Sequence, residues 1–232
     1  KTKTQKVKIL FITGSAGTTI ALMPVYRELI YRKYVVNVIG AGVASKIYRR
    51  NKIKCTNLED NVKLSYVRNF IEQFMPVLII VGAGGNNVIE KTLINAAKIL
   101  KINSFALIDN WCWAEDRFIV KRSSSSKIKY QIPDMIGVPT QSSYDELSLN
   151  NEFINAKIVV SGMPHAENIR HKVQKKTESD KKVILNKLGI EGNVKVISFF
   201  SAPVEEKSIE KVGYTECSIL DTLTKSINDV ST

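Results

Sequence analysis

The sequence predicts an α/β protein built on a doubly wound, Rossmann-like parallel sheet. Three observations carry that expectation. Apolar, β-branched runs alternate with segments of helical period along most of the 232 residues. The first run, Val7–Thr13, meets a small-residue turn, Gly14-Ser15-Ala16-Gly17, and then a helical pattern through Ile20, Leu22, Val25, Leu29 and Ile30. A second glycine-rich turn, Gly82-Ala83-Gly84-Gly85, follows Val77–Val81, an all-apolar run of the kind that parallel sheets bury on both faces.

The elements read off in order. Val7–Thr13 is a strand and Thr19–Arg32 a helix. Val35–Ile39 is the next strand, followed by a short helix Val43–Asn51 and a short strand Ile53–Thr56. Val62, Tyr66, Phe70 and Phe74 recur every fourth residue, which predicts a helix that Pro76 stops. After Val77–Val81 come a helix Val88–Leu100, a strand Ser104–Ile108 and an aromatic, charged loop Asp109–Phe118. Lys121–Gln131 holds four consecutive serines and reads as a mobile surface loop. Met135–Val138, Ser142–Leu149 and Ala156–Val160 continue as strand, helix, strand, ended by Gly162-Met163-Pro164. Beyond Pro164 the chain turns polar. His165–Lys176 and Thr177–Gly189 read as helices, Val194–Phe200 as a new apolar strand and Glu216–Ile227 as a last helix. The expected domains are therefore 1–164, linker helices over 165–193, and one βα unit over 194–232.

Composition narrows the functional class. An apolar content of 44% suffices for a core, and no apolar run reaches the roughly 18 residues that span a bilayer. The basic start, KTKTQKVK, leads into a strand without a small-residue cleavage pattern, so no signal peptide is expected. Cys55, Cys112 and Cys217 stand far apart, which fits a reducing, cytoplasmic setting. Neither His165 nor His171 falls in a metal-ligand spacing, so no metal is expected. The net charge is +12. It reads equally as solvated helix faces or as a patch for an anionic membrane surface. Nucleic acid ranks behind both, since no RNA-module or helix-turn-helix pattern accompanies the charge.

Candidate site residues gather at strand ends. Ligands of open α/β sheets bind outside the carboxyl ends of the strands. Gly14, Ser15, Gly17 and Thr18 would line such a cleft with backbone N–H and hydroxyl groups, against the alternative of a plain strand-to-helix turn. Gly82, Gly84, Gly85 and Asn86 hold the equivalent position after a central strand. The turn GSAG matches neither the dinucleotide fingerprint nor the P-loop. Asp109 closes a strand and would serve as general base toward an acceptor hydroxyl. Trp111 and Trp113 would stack on a sugar or lipid, beside Glu115, Asp116 and Arg117. The competing reading makes Asp109 a turn cap and the tryptophans a cover for the core edge. His165 is a second catalytic candidate, against plain exposure at a helix start. Glu205 and Glu206 read as a solvated loop. The Ser123–Ser126 run lacks an elbow motif, which argues against a serine nucleophile.

Three stretches together resemble the GT-B glycosyltransferase and NDP-sugar 2-epimerase superfamily. TGSAGTTIALMPVYREL (13–29) looks like the opening loop and helix of peptidoglycan N-acetylglucosaminyltransferase-type enzymes. IPDMIGVPTQSSYDEL (132–147) with KIVVSGMP (157–164) resembles the stretch before the crossover to the second domain. ESDKKVILNKLGIEGNVKVISFFSAP (178–203) is similar to the linker helix and first strand of the donor domain. The resemblance implies transfer of a sugar from a nucleotide-sugar co-substrate to a hydroxyl acceptor, with no further cofactor. It implies work in the cytoplasm, peripherally on the inner membrane face. It departs from the family in two places. Thr18 and Thr19 stand where the family's opening loop carries a histidine, so no base is carried over there. Only one βα unit of a donor domain is present. The expectation is an acceptor-binding half, a truncation, or a protein completed by a second chain. The alternatives are a 2-epimerase-like enzyme and a non-catalytic binding or scaffold subunit.

Overall fold

Both faces of the first strand are buried. In β1 (Lys8–Thr13), Leu10 and Ile12 join one apolar cluster while Ile9 and Phe11 join another. Alternating side chains of one strand thus feed two cores, which requires helices on both sides of the sheet. The computed structural model describes residues 6–59, 61–85, 88–123, 126–192, 194–200 and 213–231. It divides into two units, 1–175 and 176–232.

The first unit runs β1, α1 (Ala16–Tyr31), β2 (Val35–Ala41), α2 (Val43–Arg50), β3 (Thr56–Leu58), α3 (Leu64–Phe74), β4 (Leu78–Ala83), α4 (Val88–Leu100) and β5 (Asn103–Ile108). A hairpin of β6 (Ile119–Ser123) and β7 (Ser126–Tyr130) follows, then β8 (Met135–Val138), α5 (Gln141–Ser148), β9 (Lys157–Val160) and α6 (Pro164–Gln174). Seven strands form one parallel sheet in the order β3-β2-β1-β4-β5-β8-β9. The first three strands extend the sheet one way from β1 and the rest extend it the other way. The order therefore reverses between β1 and β4, the switch point at which open α/β sheets bind ligands.

Each helical layer follows from the apolar stripe of its helices. Ala21, Leu22 and Met23 of α1 and Ala44 and Tyr48 of α2 cover Ile9, Phe11, Val38, Ile80 and Leu107. Val67 and Ile71 of α3 and Ile89, Leu93 and Ala97 of α4 cover Leu10, Ile12, Ile39, Ile79 and Val81. The helix α6 lies along α1. The expected doubly wound parallel sheet is therefore the observed one, and Ile79, Ile80 and Val81 are among its buried residues.

Four expectations are corrected. Lys121–Gln131, read as a mobile loop, lies mostly in the antiparallel β6–β7 hairpin. Serine-rich composition suggested a loop, but Tyr130 and Phe118 both stack edge-on to the buried Phe153, and the Gln131 N–H donates to the Phe118 carbonyl. The short strand forms at Thr56–Leu58, not Ile53–Thr56, because its ladder partners are Ile39, Gly40 and Ala41 at the far end of β2. The chain divides after Lys175, since α6 associates with α1 and so belongs to the first unit.

The second unit supplies the fourth. It contains α7 (Glu178–Lys187), opened by a capping box between Thr177 and Asp180, and α8 (Glu216–Ser231). Val194–Phe200, expected as a strand, forms none, and no strand stands beside it among the described residues of this unit. A lone strand leaves its N–H and C=O groups without a ladder. Glu205 and Glu206 lie outside the described residues.

Candidate functional site

Strand register brings three loop starts level. Ile12 pairs with Val81, Val81 with Ala106, and Ala83 with Ile108. Gly14 is the first residue after β1, Gly84 the first after β4 and Asp109 the first after β5, so all three stand on the carboxyl edge of the sheet beside its switch point.

The group that joins these loops is Glu90, in the first turn of α4 and buried at 2% exposure. Its Oε1 accepts the Gly14 N–H at 2.9 Å and the Thr18 hydroxyl at 3.1 Å, and its Oε2 accepts the Gly84 N–H at 2.8 Å. Burial pushes the Glu90 carboxyl up to about 8. The donors Gly84, Gly14 and Thr18 oppose that shift, and the nearby Asp109 charge adds to it. Nothing in the strand-end pattern singled out Glu90. The available signal was a carboxylate in the first turn of a helix opening on a glycine-rich loop, and that also fits an ordinary helix start.

This arrangement corrects part of the expected cleft lining. The N–H groups of Gly14 and Gly84 are directed at Glu90, so they do not line an open anion site. Thr18 is fully buried and serves the same carboxyl. Ser15 caps α1, its Oγ accepting the Thr18 N–H at 3.2 Å and standing 2.9 Å from the Thr18 hydroxyl. Ser15 is half-buried, the most exposed polar side chain of this set. A Cβ at Gly84 would lie 2.8 Å from Ser15 Oγ, and one at Gly82 would overlap Thr18 and Glu90. Both positions therefore need glycine for close approach of the β4 loop to α1. Gly85 has open space around it, and its carbonyl accepts from Lys91 Nζ at 3.0 Å. The same Nζ donates to the Ile119 carbonyl at 2.6 Å, which ties the hairpin to the β4 loop. Burial lowers the Lys91 pKa. Asn86 lies outside the described residues.

Asp109 and Arg117 form the charged part of the edge. Arg117 Nη1 stands 3.2 Å from Asp109 Oδ1, with both side chains 13% exposed, and 3.5 Å from the Ala83 carbonyl. Asp109 reaches across to α1, because a Cβ at Gly17 would collide with its Oδ2. Trp111 and Trp113 are exposed at 58% and 72%, and Trp113 has a φ of +52°. They do not cover the core edge. The Ser143 hydroxyl donates to the Trp111 carbonyl at 3.1 Å, which fastens the loop to α5.

His165 is not brought into this cluster. It stands in the first turn of α6, half-buried, and the neighbouring Pro164 lines a groove of about 700 Å³ with Pro24, Val25, Val7 and Val77. Val7 and Val77 precede β1 and β4, so this groove reaches the amino ends of the strands, opposite the glycine loops. Among the described residues, no three His, Cys, Asp or Glu side chains converge as a metal-ligand set. No helix among them is long and apolar enough to cross a membrane.

Comparison with solved structures finds the same fold in proteins of low sequence similarity. UDP-GlcNAc 2-epimerase from Neisseria meningitidis, solved bound to UDP-GlcNAc, is 17% identical, with a TM-score of 0.54 over 79% of this chain and 54% of that one. MnaA of S. aureus, solved with UDP, is 16% identical, with a TM-score of 0.56 over 79% of this chain and 51% of that one. The chain thus spans about half the length of these proteins. The likeness shows a shared GT-B-type fold. No protein-family model matches the chain, and no curated protein matches it.

Proposed function

We propose that the chain is the acceptor-side half of a GT-B-fold enzyme that transfers a sugar from a nucleotide-sugar donor to a hydroxyl acceptor. One observation carries the reading. The Asp109 carboxylate stands at the carboxyl edge beside the switch point, oriented by Arg117 at 3.2 Å and given room by Gly17. The fold it shares with proteins solved with UDP-GlcNAc and UDP supports a nucleotide sugar as co-substrate.

In the proposed reaction the acceptor hydroxyl attacks the anomeric carbon. A C–O bond forms there, the bond to the diphosphate breaks, and the nucleoside diphosphate leaves. Asp109 receives the hydroxyl proton, while Arg117 holds the carboxylate toward the cleft. Trp111, exposed on the same loop, stacks on the acceptor. The net charge of +12 supports work at an anionic membrane surface, where a polyprenyl phosphate acceptor would be found. The nucleotide-binding half would come from further chain or from a second protein.

A second reading, 2-epimerisation of a UDP-sugar, is favoured by the likeness to the N. meningitidis enzyme. Product analysis separates the readings. The chain is supplied with a donor-side half, UDP-GlcNAc and a hydroxyl acceptor. A new glycoside with released UDP supports transfer. A C2-epimerised sugar without glycoside supports the second reading. Binding of the acceptor without turnover makes the chain a non-catalytic subunit.

A further inference from the structure

The buried hydroxyls between Glu90 and the cleft form a chain with a direction. Glu90 Oε1 meets the Thr18 hydroxyl at 3.1 Å, and Thr18 Oγ1 meets Ser15 Oγ at 2.9 Å. Glu90 and Thr18 are buried, whereas Ser15 is half-buried at the carboxyl edge. Each hydroxyl carries one proton to donate. With Glu90 ionised, Thr18 donates to the carboxylate, so Thr18 Oγ1 accepts from Ser15. Ser15 then turns only lone pairs toward the cleft. With Glu90 protonated, its O–H needs an acceptor. Gly14 and Gly84 present N–H groups to the carboxyl and cannot accept, which leaves Thr18 Oγ1 among the described residues. Thr18 then donates to Ser15 Oγ at 2.9 Å, the shorter of its two remaining contacts, since the Ser15 carbonyl stands 3.3 Å away. The Ser15 proton becomes free to point outward.

We infer that Glu90 acts through Thr18 to set whether Ser15 offers the cleft a hydrogen-bond donor or only lone pairs. Glu90 is thus a positioning residue, and Ser15 is where its state is read. A donor at Ser15 suits a phosphate oxygen, and lone pairs suit a sugar hydroxyl. That consequence for the ligand rests on the nucleotide-sugar reading, whereas the hydroxyl chain does not.

The charged and titratable groups around Glu90 come from several elements. Asp109 at the end of β5, itself paired with Arg117, disfavours ionisation of Glu90. Lys91, next on α4, favours ionisation, although its Nζ is held by the Gly85 and Ile119 carbonyls. Tyr48 of α2 feels the Glu90 charge, and its hydroxyl is engaged with Thr13 at 2.8 Å.

The test needs no ligand, so it stands or falls apart from the nucleotide-sugar reading. Infrared difference spectra of the full chain are recorded from about pH 5 to about pH 10, following the protonated-carboxyl band. Glu90 is identified as the band lost in Glu90→Gln. In Thr18→Val that band is expected to move to higher frequency, because the acid O–H loses its acceptor. Its midpoint is expected to rise by about one pH unit, a tenfold change in proton affinity, because the carboxylate loses a donor. Ser15→Ala is expected to raise the midpoint by less, in the same direction. Thr18→Ser, which keeps the hydroxyl, restores the wild-type band and also serves if Thr18→Val does not fold. No Glu90-dependent band in the wild type, an unshifted band in Thr18→Val, or a Thr18→Ser spectrum displaced from wild type would each overturn the inference. So would an unchanged midpoint in Ser15→Ala, which would disconnect Glu90 from the cleft surface.

Discussion

Gly17 is a helical residue that helix propensity would replace. Gly17 stands in the first turn of α1, where alanine is favoured over glycine by less than the roughly 1 kcal/mol of a helix interior. Here the added methyl would meet Asp109 Oδ2, and that carboxylate is already paired with Arg117. Gly17→Ala is therefore expected to displace the pair and lower activity without raising the melting temperature. An alanine variant both more stable and fully active would mean that the Asp109 position is not constrained by α1. If Asp109 is the general base proposed above, Asp109→Asn is expected to lower kcat by about 10²–10⁴-fold with little change in KM once the chain is completed by its donor-side half, because such a base acts in the transition state. Wild-type kcat in that variant removes Asp109 from the mechanism. Glu90 makes a separate prediction for stability. Its folded pKa, about 8, lies above the ordinary value of 4.5 for the unfolded chain. Between those values the folded state binds more protons, so stability is greatest below the lower one and falls as pH rises through the higher one. The slope is at most about 1.4 kcal/mol per pH unit for one proton. Urea titrations across that window should show the slope in the wild type and a flatter profile in Glu90→Gln.

At the scale of elements, β4 carries both packing and the site. Ile79, Ile80 and Val81 are buried between the two helical layers, whereas Val77 just ahead is 56% exposed. Ile79→Ala is expected to destabilise the fold by about 2–5 kcal/mol, as cavity-forming substitutions in cores do, and Val77→Ala by much less. Equal losses in urea unfolding would contradict the burial of this strand. The hairpin depends on a different kind of contact. Lys91 donates to the Gly85 and Ile119 carbonyls, so Lys91→Met keeps the aliphatic stem and removes both donors. Amide exchange is expected to quicken in the β4 loop and in the hairpin while α4 itself stays protected. Unchanged exchange in both would show that the aromatic contacts of Phe118, Tyr130 and Phe153 suffice to hold the hairpin.

For the whole molecule, the proposed transfer turns on how much of the nucleotide site this chain would carry. It spans about half the length of the solved proteins whose fold it shares. If the nucleotide is held mainly by the other half, isothermal titration of this chain with UDP- and GDP-sugars should show weak binding or none, and turnover by the chain alone should be negligible. Tight binding would move the donor site onto the sheet described here, with Ser15 and the Asp109–Arg117 pair as its polar groups.

The parallel sheet, its helices and the glycine-rich turns were legible in the sequence because local signals carry them. Alternating apolar runs, helical periods and small-residue stops depend on residues near one another in the chain. The helix Val88–Leu100 and the strand Met135–Val138 have the ends that pattern predicts. The carboxyl-edge meeting of Gly14, Gly84 and Asp109 followed as well, since a parallel sheet brings equivalent strand ends together. Other features required contacts between distant segments. The hairpin at 119–130 depends on Phe153, and the place of β3 on its partner strand. Val194–Phe200 has strand composition, yet a strand forms only where a neighbour supplies the other half of its hydrogen bonds. The place of α6 against α1 is likewise a long-range association, which periodicity does not encode. Glu90 is the sharpest case. Its hydrogen-bond partner Gly14 is 76 positions away in the chain, and only the reversal of strand order between β1 and β4 sets a helix-start carboxylate beneath both glycine loops.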